Sequence, residues 1–235
     1  MTKRKTQSML AQLSLFRRGG LRVGAGRKPK GDEALASHAK RARLTRHKPV
    51  LVTTHLIEDR PNLRRERTLV LLRRVLSQGS ERFGFRLVEY GIQSNHLHLI
   101  AEADDESALA RGMQGLLVRV AKALNAEWGR RGRVFRDRYH ARILEAPRDV
   151  RNALIYVLQN ARKHGAKLLG IDPFSSGPWF EGWHDRIARA DRPIARASSW
   201  VLKVGWRMWG LISTKDAPVG GREGAWDEFL ELDGA

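Results

Sequence analysis

The sequence predicts an α+β domain built on a small antiparallel sheet with two helices on one face. Three observations carry this prediction. Short apolar, β-branched runs alternate with longer helical stretches, their order is strand-helix-strand-strand-helix-strand, and an amphipathic helix follows the last strand. That order is the split β-α-β, or ferredoxin-like, arrangement. The opposite face of the sheet is then available for a site and for the added helix.

Charge is the strongest global signal. The 235 residues hold 44 Lys and Arg against 25 Asp and Glu, which gives a formal net charge of +19. Such an excess attracts polyanions, and nucleic acid is the commonest polyanion in a cell. The absence of cysteine excludes disulfides and thiolate metal sites and agrees with a cytoplasmic location. No apolar run approaches the length of a membrane span, so we expect no membrane partner.

Residues 1–45 are predicted to form a basic, poorly folded DNA-binding arm, because glycines interrupt every apolar pattern there. Within the arm, residues 26–30 are similar to the short Arg/Pro hooks that enter the minor groove of A·T-rich DNA. A generic phosphate-binding arm is the alternative. The basic side chains expected to contact DNA are Arg27, Lys28, Lys30, Arg41, Arg43, Arg46, Arg136, Arg138 and Lys163.

The first half of the predicted domain runs from a β-branched strand at residues 49–56 to a histidine-containing strand. Between them lie a helix over about 63–80 and a second strand over 85–90. The third strand begins in the stretch 91–100 and ends near Glu102. The buried stripe of the helix is predicted to be Leu69, Leu72, Val75 and Leu76.

The second half begins where the acids of residues 104–106 favour a helix N-terminus. Its predicted buried residues are Leu109, Met113, Leu116, Leu117, Val120 and Leu124. A fourth strand is predicted over residues 134–144 and a further helix over about 147–164. The apolar stripe of that last helix is Val150, Ala153, Leu154, Val157, Leu158 and Ala161.

The catalytic domain is thus predicted to span residues 46–165, followed by a tryptophan-rich extension over 166–235. A bent amphipathic helix is predicted at residues 198–212, with Val201, Val204 and Leu211 on its apolar face. Two readings of the tryptophans stay open. Either they are buried against the catalytic domain, or some of them stack on bases of single-stranded DNA beside Arg196, Lys203 and Arg207.

Two pairs of residues carry the predicted chemistry. His96 and His98 are two apart, so a strand places both imidazoles on one face, where they can hold a divalent metal. The alternative is a pair of histidines that hydrogen-bond to their neighbours. Tyr156 and Asn160 are one helical turn apart and are predicted at the rim of the buried stripe, with the tyrosine half-buried. The alternative there is a packing tyrosine at the edge of the core.

If these four side chains meet, two imidazoles and an amide carbonyl form a neutral ligand set that suits Mg²⁺ or Mn²⁺. Tyr156 would then attack a phosphodiester and form a phosphotyrosine. A phenol has an ordinary pKa of about 10, so it needs activation by the cation, by Lys163 or by another base. The sequence offers no carboxylate pair, Ser/His/Asp order or phosphate-binding glycine loop as a competing site.

The chain resembles the single-tyrosine HUH transposases (IS200-like), especially the group associated with repetitive extragenic palindromes (REP). His96-Leu97-His98 fits the His-hydrophobic-His motif, Tyr156 falls on the family nucleophile, and Asn160 falls on the third metal ligand. One departure is Ala161, where the family usually has proline after the asparagine.

The resemblance implies a metal-dependent endonuclease and strand transferase that acts on single-stranded DNA with hairpins, through a 5′-phosphotyrosine. It implies a bacterial, nucleoid-associated protein that is a monomer or a homodimer, with Tyr156 meeting the histidines of its own chain or of a partner. A non-catalytic, domesticated DNA- or RNA-binding module on the same fold is the alternative. The transposase hypothesis and the non-catalytic alternative differ in whether DNA becomes covalently attached to the protein.

Overall fold

The structure is a computed structural model that describes residues 44–163, 170–185, 187 and 191–218. The predicted arm lies outside the described residues, except for its last two positions. The side chains of the DNA-binding prediction that fall outside are Arg27, Lys28, Lys30, Arg41, Arg43 and Lys163.

The described part of the chain forms one antiparallel sheet in the spatial order β2-β3-β4-β1-β5. The elements are β1 (Val50–His55), α1 (Glu66–Gln78), β2 (Glu81–Arg82), β3 (Phe85–Ile92), β4 (His96–Ala103), α2 (Glu106–Glu127), β5 (His140–Ile143), α3 (Pro147–Lys163) and α4 (Trp200–Lys203). Leaving aside the two-residue β2, which the sequence did not predict, this is the ferredoxin-like strand order. The predicted fold class is confirmed.

The sheet separates two apolar cores. Val52 and Leu99 belong to the core that includes α1 and α2, whereas Leu51 and Ile100 belong to the core that includes α3. This division follows from the period of two along a strand, which sends neighbouring side chains to opposite faces. The extra helix therefore covers the face opposite α1 and α2, as the split β-α-β order predicted.

The two helices on the first face bury the predicted stripes. All four stripe residues of α1 are buried, and so are those of α2 apart from the partly buried Leu117. Asp105 is the N-cap of α2, and its Oδ1 accepts a hydrogen bond of 2.7 Å from the backbone N–H of Ala108. A capping carboxylate satisfies a backbone donor that the helix itself leaves unpaired.

Two strand boundaries differ from the prediction. Residues 91–92 belong to β3, and a tight turn closed by the Gln93 N–H to His96 carbonyl bond (2.9 Å) precedes β4. β5 is shorter than predicted, because residues 134–136 pair only locally with residues 55–57 and the chain then leaves the sheet until His140. Here local turn geometry overrides the β-propensity of the stretch.

The C-terminal segment, which the structure describes over residues 170–185, 187 and 191–218, closes the free edge of β3. Ile92 donates to the Phe174 carbonyl (2.8 Å), and the Tyr90 N–H donates to Ser176 Oγ (2.9 Å). Arg64 forms a bidentate ion pair with the buried Asp172, with N–O distances of 2.8 and 2.9 Å. The bonds of Ile92 and Tyr90 satisfy an edge that would otherwise expose unpaired backbone groups.

The predicted helix over 198–212 is wrong in length. Only α4 is α-helical, followed by a 3-10 turn at Gly205–Trp209. Val201 is buried as predicted, but Val204 and Leu211 are exposed by 48% and 42%. The apolar face instead uses Leu202 and Trp206, because the switch from α to 3-10 geometry changes which positions share a face.

Candidate active site

Strand β4 presents both histidines of the predicted motif to the face that carries α3. His98 is fully buried and His96 is partly buried, with ring centroids 4.6 Å apart. In the sheet, His98 is paired with Thr53 of β1 on one side and with Gly91 of β3 on the other. The prediction that the two imidazoles share a face is confirmed.

Hydrogen bonds hold the two rings from their Nδ1 sides. Thr53 Oγ1 lies 3.0 Å from His98 Nδ1, and Asn95 Oδ1 lies 2.8 Å from His96 Nδ1. The two Nε2 atoms face each other at 2.9 Å. The Asn95 oxygen only accepts, so it selects the tautomer of His96 that has hydrogen on Nδ1. The threonine hydroxyl can donate or accept, so it is compatible with either tautomer of His98.

Two further histidines, His55 and His140, lie around this pair, and neither was predicted as a site residue. The His55 ring centroid is 5.0 Å from that of His96, because the two residues are paired across β1 and β4. Burial lowers the pKa of His55 below its ordinary value, and the nearby His140 lowers it further. Only the register of the strands brings these residues together, and sequence spacing gave no signal for it.

Helix α3 approaches the sheet closely at Gly91. A Cβ placed on this glycine would be 2.2 Å from the Val157 carbonyl oxygen, well inside contact distance. Because Gly91 is the cross-strand partner of His98, this close approach brings the neighbouring turn of α3 over the histidine. The Tyr156 ring contacts the His98 ring edge to face, with centroids 4.6 Å apart. The predicted meeting of Tyr156 with the histidine motif is therefore present in a single chain.

The predicted position of Tyr156 and Asn160 at a half-buried rim is wrong. Tyr156 is 5% exposed and Asn160 is 1% exposed. The reason is that the C-terminal segment packs on α3 from outside, so the helix is buried on more than its sheet-facing stripe. Gln159 Nε2 donates to the Ser213 carbonyl (3.2 Å), and Arg162 donates to the Thr214 carbonyl (2.9 Å).

The other two tyrosines of the chain do not take this position. Tyr90 is buried in the core beneath α1 and α2, and burial raises its pKa to about 12. Tyr139 packs against the same core from the loop before β5. Tyr156 is the tyrosine that suits the chemistry, because its ring contacts that of His98.

The side chains present suit a divalent cation. Within the described part of the chain, neither polar atom of the Asn160 side chain has a hydrogen-bond partner, although both are buried. An unsatisfied buried amide is costly, so a ligand that uses it is expected. The described residues contain no cluster of three or more His, Cys, Asp or Glu that could hold a metal. The set of His96, His98 and Asn160 is a different kind of ligand set, because its third member is an amide and not one of those four residue types.

The described cations of the DNA-binding prediction fall at different places. Arg136 is exposed and its backbone N–H donates to the His55 carbonyl (2.9 Å), which puts it beside the histidines, and the exposed Arg138 follows in the same loop. Arg46 borders a cavity with Glu102, at the opposite end of β4 from His96. The side chain of Lys163 is outside the described part.

Helices able to cross a bilayer are absent from the described residues. No curated protein matches the sequence. A solved structure, that of a REP-associated tyrosine transposase bound to a REP hairpin, is 18% identical, with a TM-score of 0.47 over 69% of this chain and 99% of that chain. A family model described as "Transposase IS200 like" matches residues 51–160. The segment that matches the IS200-like transposase model, residues 51–160, is thus the segment that contains His96, His98, Tyr156 and Asn160.

Proposed function

We propose that the protein is a metal-dependent, single-stranded DNA endonuclease and strand transferase that cleaves beside hairpins through a 5′-phosphotyrosine at Tyr156. The observation that carries this proposal is the contact between the Tyr156 and His98 rings, at a place where His96 and His98 direct their Nε2 atoms toward each other. The family match over residues 51–160 supports the transposase class.

In the proposed first step the Tyr156 hydroxyl loses its proton, and its oxygen bonds to the phosphorus of a DNA phosphodiester. The bond between phosphorus and the 3′ oxygen breaks, and the released 3′ oxygen takes up a proton. In the second step a 3′-hydroxyl attacks the phosphotyrosine and frees the phenol. The two steps conserve the number of phosphodiester bonds, so no nucleotide cofactor is required.

His96, His98 and Asn160 are the residues that would hold Mg²⁺ or Mn²⁺, and the cation would supply charge stabilisation at the phosphate during transfer. Thr53 would orient one of these ligands, His98. When Thr53 Oγ1 accepts from Nδ1 of His98, the imidazole directs an unprotonated Nε2 into the site. The Asn95 oxygen holds His96 in the same tautomer.

The burial of Tyr156 favours a second candidate. A nucleophile that is 5% exposed beneath a packed C-terminal segment is also what a non-catalytic, domesticated nucleic-acid-binding module would retain. In that case DNA or RNA would bind through the excess positive charge alone. Binding would fall steeply with salt and would not depend on metal.

The experiment uses labelled single-stranded DNA with hairpins from the flanks of the protein's own gene, incubated with Mn²⁺ or with EDTA and run on a denaturing gel. We expect label that migrates with the protein, only with metal, and its loss in Tyr156→Phe. Tyr90→Phe is the matched control, since it removes a phenol from the other core. Binding without any covalent product in the wild type would reject the proposal and leave the second candidate.

A further inference from the structure

Burial divides four tryptophans of the C-terminal segment into two classes, apart from the partly buried Trp179. Trp183 and Trp206 are 7% and 2% exposed and belong to the core beneath α3. Trp200 and Trp209, in contrast, are 62% and 52% exposed. Leaving an indole in water forgoes one of the largest hydrophobic gains available to any side chain. Two such residues nine positions apart therefore indicate a surface that binds something.

The Trp200 ring has one face fixed on the backbone. A Cβ placed on Gly205 would be 2.6 Å from Cζ3 of this ring, so the indole lies directly against the glycine. The contact requires the absence of a side chain at Gly205. Most of Trp200 is still exposed, and its contact with Gly205 already fixes the position of the ring. A second flat group can therefore stack on Trp200 without the entropic cost of ordering this side chain.

A cation from α3 contacts Trp209. The guanidinium carbon of Arg148 lies 5.4 Å from the centroid of this indole, within the range of a cation–π contact. Next to it, Arg151 donates to the carbonyls of Gly210 and Leu211, at 3.1 and 3.3 Å. The start of α3 and the segment that carries Trp209 are therefore fastened together.

Cations outnumber acids in the sequence around the two exposed indoles. Residues 191–218 contain five Lys and Arg against two Asp, although Arg192 and Arg196 pair with Glu89 and Glu181. Lys203 and Arg207 lie between Trp200 and Trp209 in sequence, and Arg148 adds a third cation from α3. Aromatic rings interleaved with cations match the chemistry of single-stranded nucleic acid, whose bases stack while its phosphates are neutralised.

The platform is also close enough to the site to act on the same strand. Arg148 precedes Tyr156 by eight residues on α3, a rise of about 12 Å at 1.5 Å per residue. A stacked strand advances about 3.4 Å per nucleotide, so this rise corresponds to roughly three or four nucleotides.

We propose that Trp200 and Trp209 form a stacking platform for unpaired bases of the DNA strand that is cleaved at Tyr156. The choice of DNA as the occupant rests on the proposed function. Lys203 and Arg207 contact the phosphates between the stacked bases. Trp183 and Trp206 serve only to hold the platform against the catalytic domain.

The test measures binding of the full-length protein to a fluorescein-labelled oligo-dT of 15 nucleotides by anisotropy, in EDTA so that no cleavage occurs. We expect Trp200→Leu and Trp209→Leu each to weaken binding by about 5- to 150-fold, the range for the loss of one stacked base. Trp200→Phe keeps an aromatic face and should retain most of the affinity. Phe83→Ala, which removes an aromatic that is 83% exposed in the turn between β2 and β3, is the matched control and should change affinity less than twofold.

Salt dependence separates stacking from charge. The leucine variants should shift the plot of log affinity against log salt without changing its slope, because no cation is removed. Lys203→Ala should reduce the slope by about 1. Unchanged affinity in the Trp200→Leu/Trp209→Leu double variant would overturn the proposal. The same would follow if that variant lost only self-association in sedimentation, since the surface would then bind a second copy.

The assay also separates this inference from the proposed function. It needs neither metal nor Tyr156, so a fall in affinity in the leucine variants supports the platform by itself. Absence of covalent product from the wild type in the Mn²⁺ gel experiment rejects the nuclease separately. Covalent product in the wild type, with full oligo-dT affinity in the double variant, supports the nuclease and rejects the platform.

Discussion

Gly91→Ala is the substitution that tests most directly how the fold positions Tyr156. The added Cβ would be 2.2 Å from the Val157 carbonyl oxygen, whereas ordinary contact begins near 3.4 Å, so α3 would have to withdraw by about 3.4 − 2.2 = 1.2 Å. A misplacement of about 1 Å between reacting groups can lower a rate by about 100-fold. Overpacking of this kind also lowers the free energy of unfolding by about 1–3 kcal/mol.

Two measurements check this prediction. The first is the single-turnover rate of covalent DNA attachment at saturating DNA and Mn²⁺, which we expect to fall by about 100-fold. The second is the free energy of unfolding from urea denaturation, which does not depend on any activity. Gly115→Ala is the control, because a Cβ there meets nothing within 4 Å and alanine favours the interior of α2.

The result that would refute the reasoning is specific. If Gly91→Ala kept both the wild-type attachment rate and the wild-type free energy of unfolding, the close approach of α3 to β3 would not be what positions the nucleophile. A loss of stability with an unchanged rate would mean that Tyr156 reaches the DNA from a helix position other than the one described here.

Three further substitutions follow from the contacts of the site and its supports. Thr53→Val removes the hydroxyl that bonds His98 Nδ1, and we expect Mn²⁺ affinity measured by calorimetry to fall about 10- to 100-fold. Arg192→Ala leaves the buried Glu89 without its 2.8 Å partner, and we expect urea denaturation to show a loss of about 3–5 kcal/mol. Asp105→Ala removes the N-cap of α2, at an expected loss of about 1 kcal/mol in the same assay.

The first two of these substitutions have clear opposite results. Unchanged Mn²⁺ affinity in Thr53→Val would mean that the hydroxyl does not orient the imidazole. Burial already raises the pKa of Glu89 despite the arginine. Arg192→Ala should therefore be least harmful at low pH, where the carboxyl is protonated, and should become more harmful as pH rises. A loss that is independent of pH would argue that Arg192 acts by packing alone.

Much of the fold could be predicted because its signals are local. The α1 and α2 stripes follow from apolar residues at three- and four-residue spacing, and the acids at residues 104–106 correctly predicted the start of α2. The boundaries of β4 and β5 were less accurate. Their ends depend on pairing with β1 and with the turn at residues 93–95, which no local pattern reveals.

The candidate site shows the same division. The shared face of His96 and His98 follows from their spacing alone, because side chains on a strand alternate with a period of two. The contact of His98 with Thr53, 45 residues away, depends on the register between β1 and β4. His55 enters the site for the same reason.

The sequence by itself determined the order of the elements, the histidine face and the one-turn spacing of Tyr156 and Asn160, since each depends on residues within a few positions of one another. Only the tertiary structure decided how deeply Tyr156 is buried and which tryptophans face solvent. Both depend on the C-terminal segment, which packs on α3 through residues about 50 positions away. Packing between distant segments has no periodic signature, so the three-dimensional arrangement was needed to identify it.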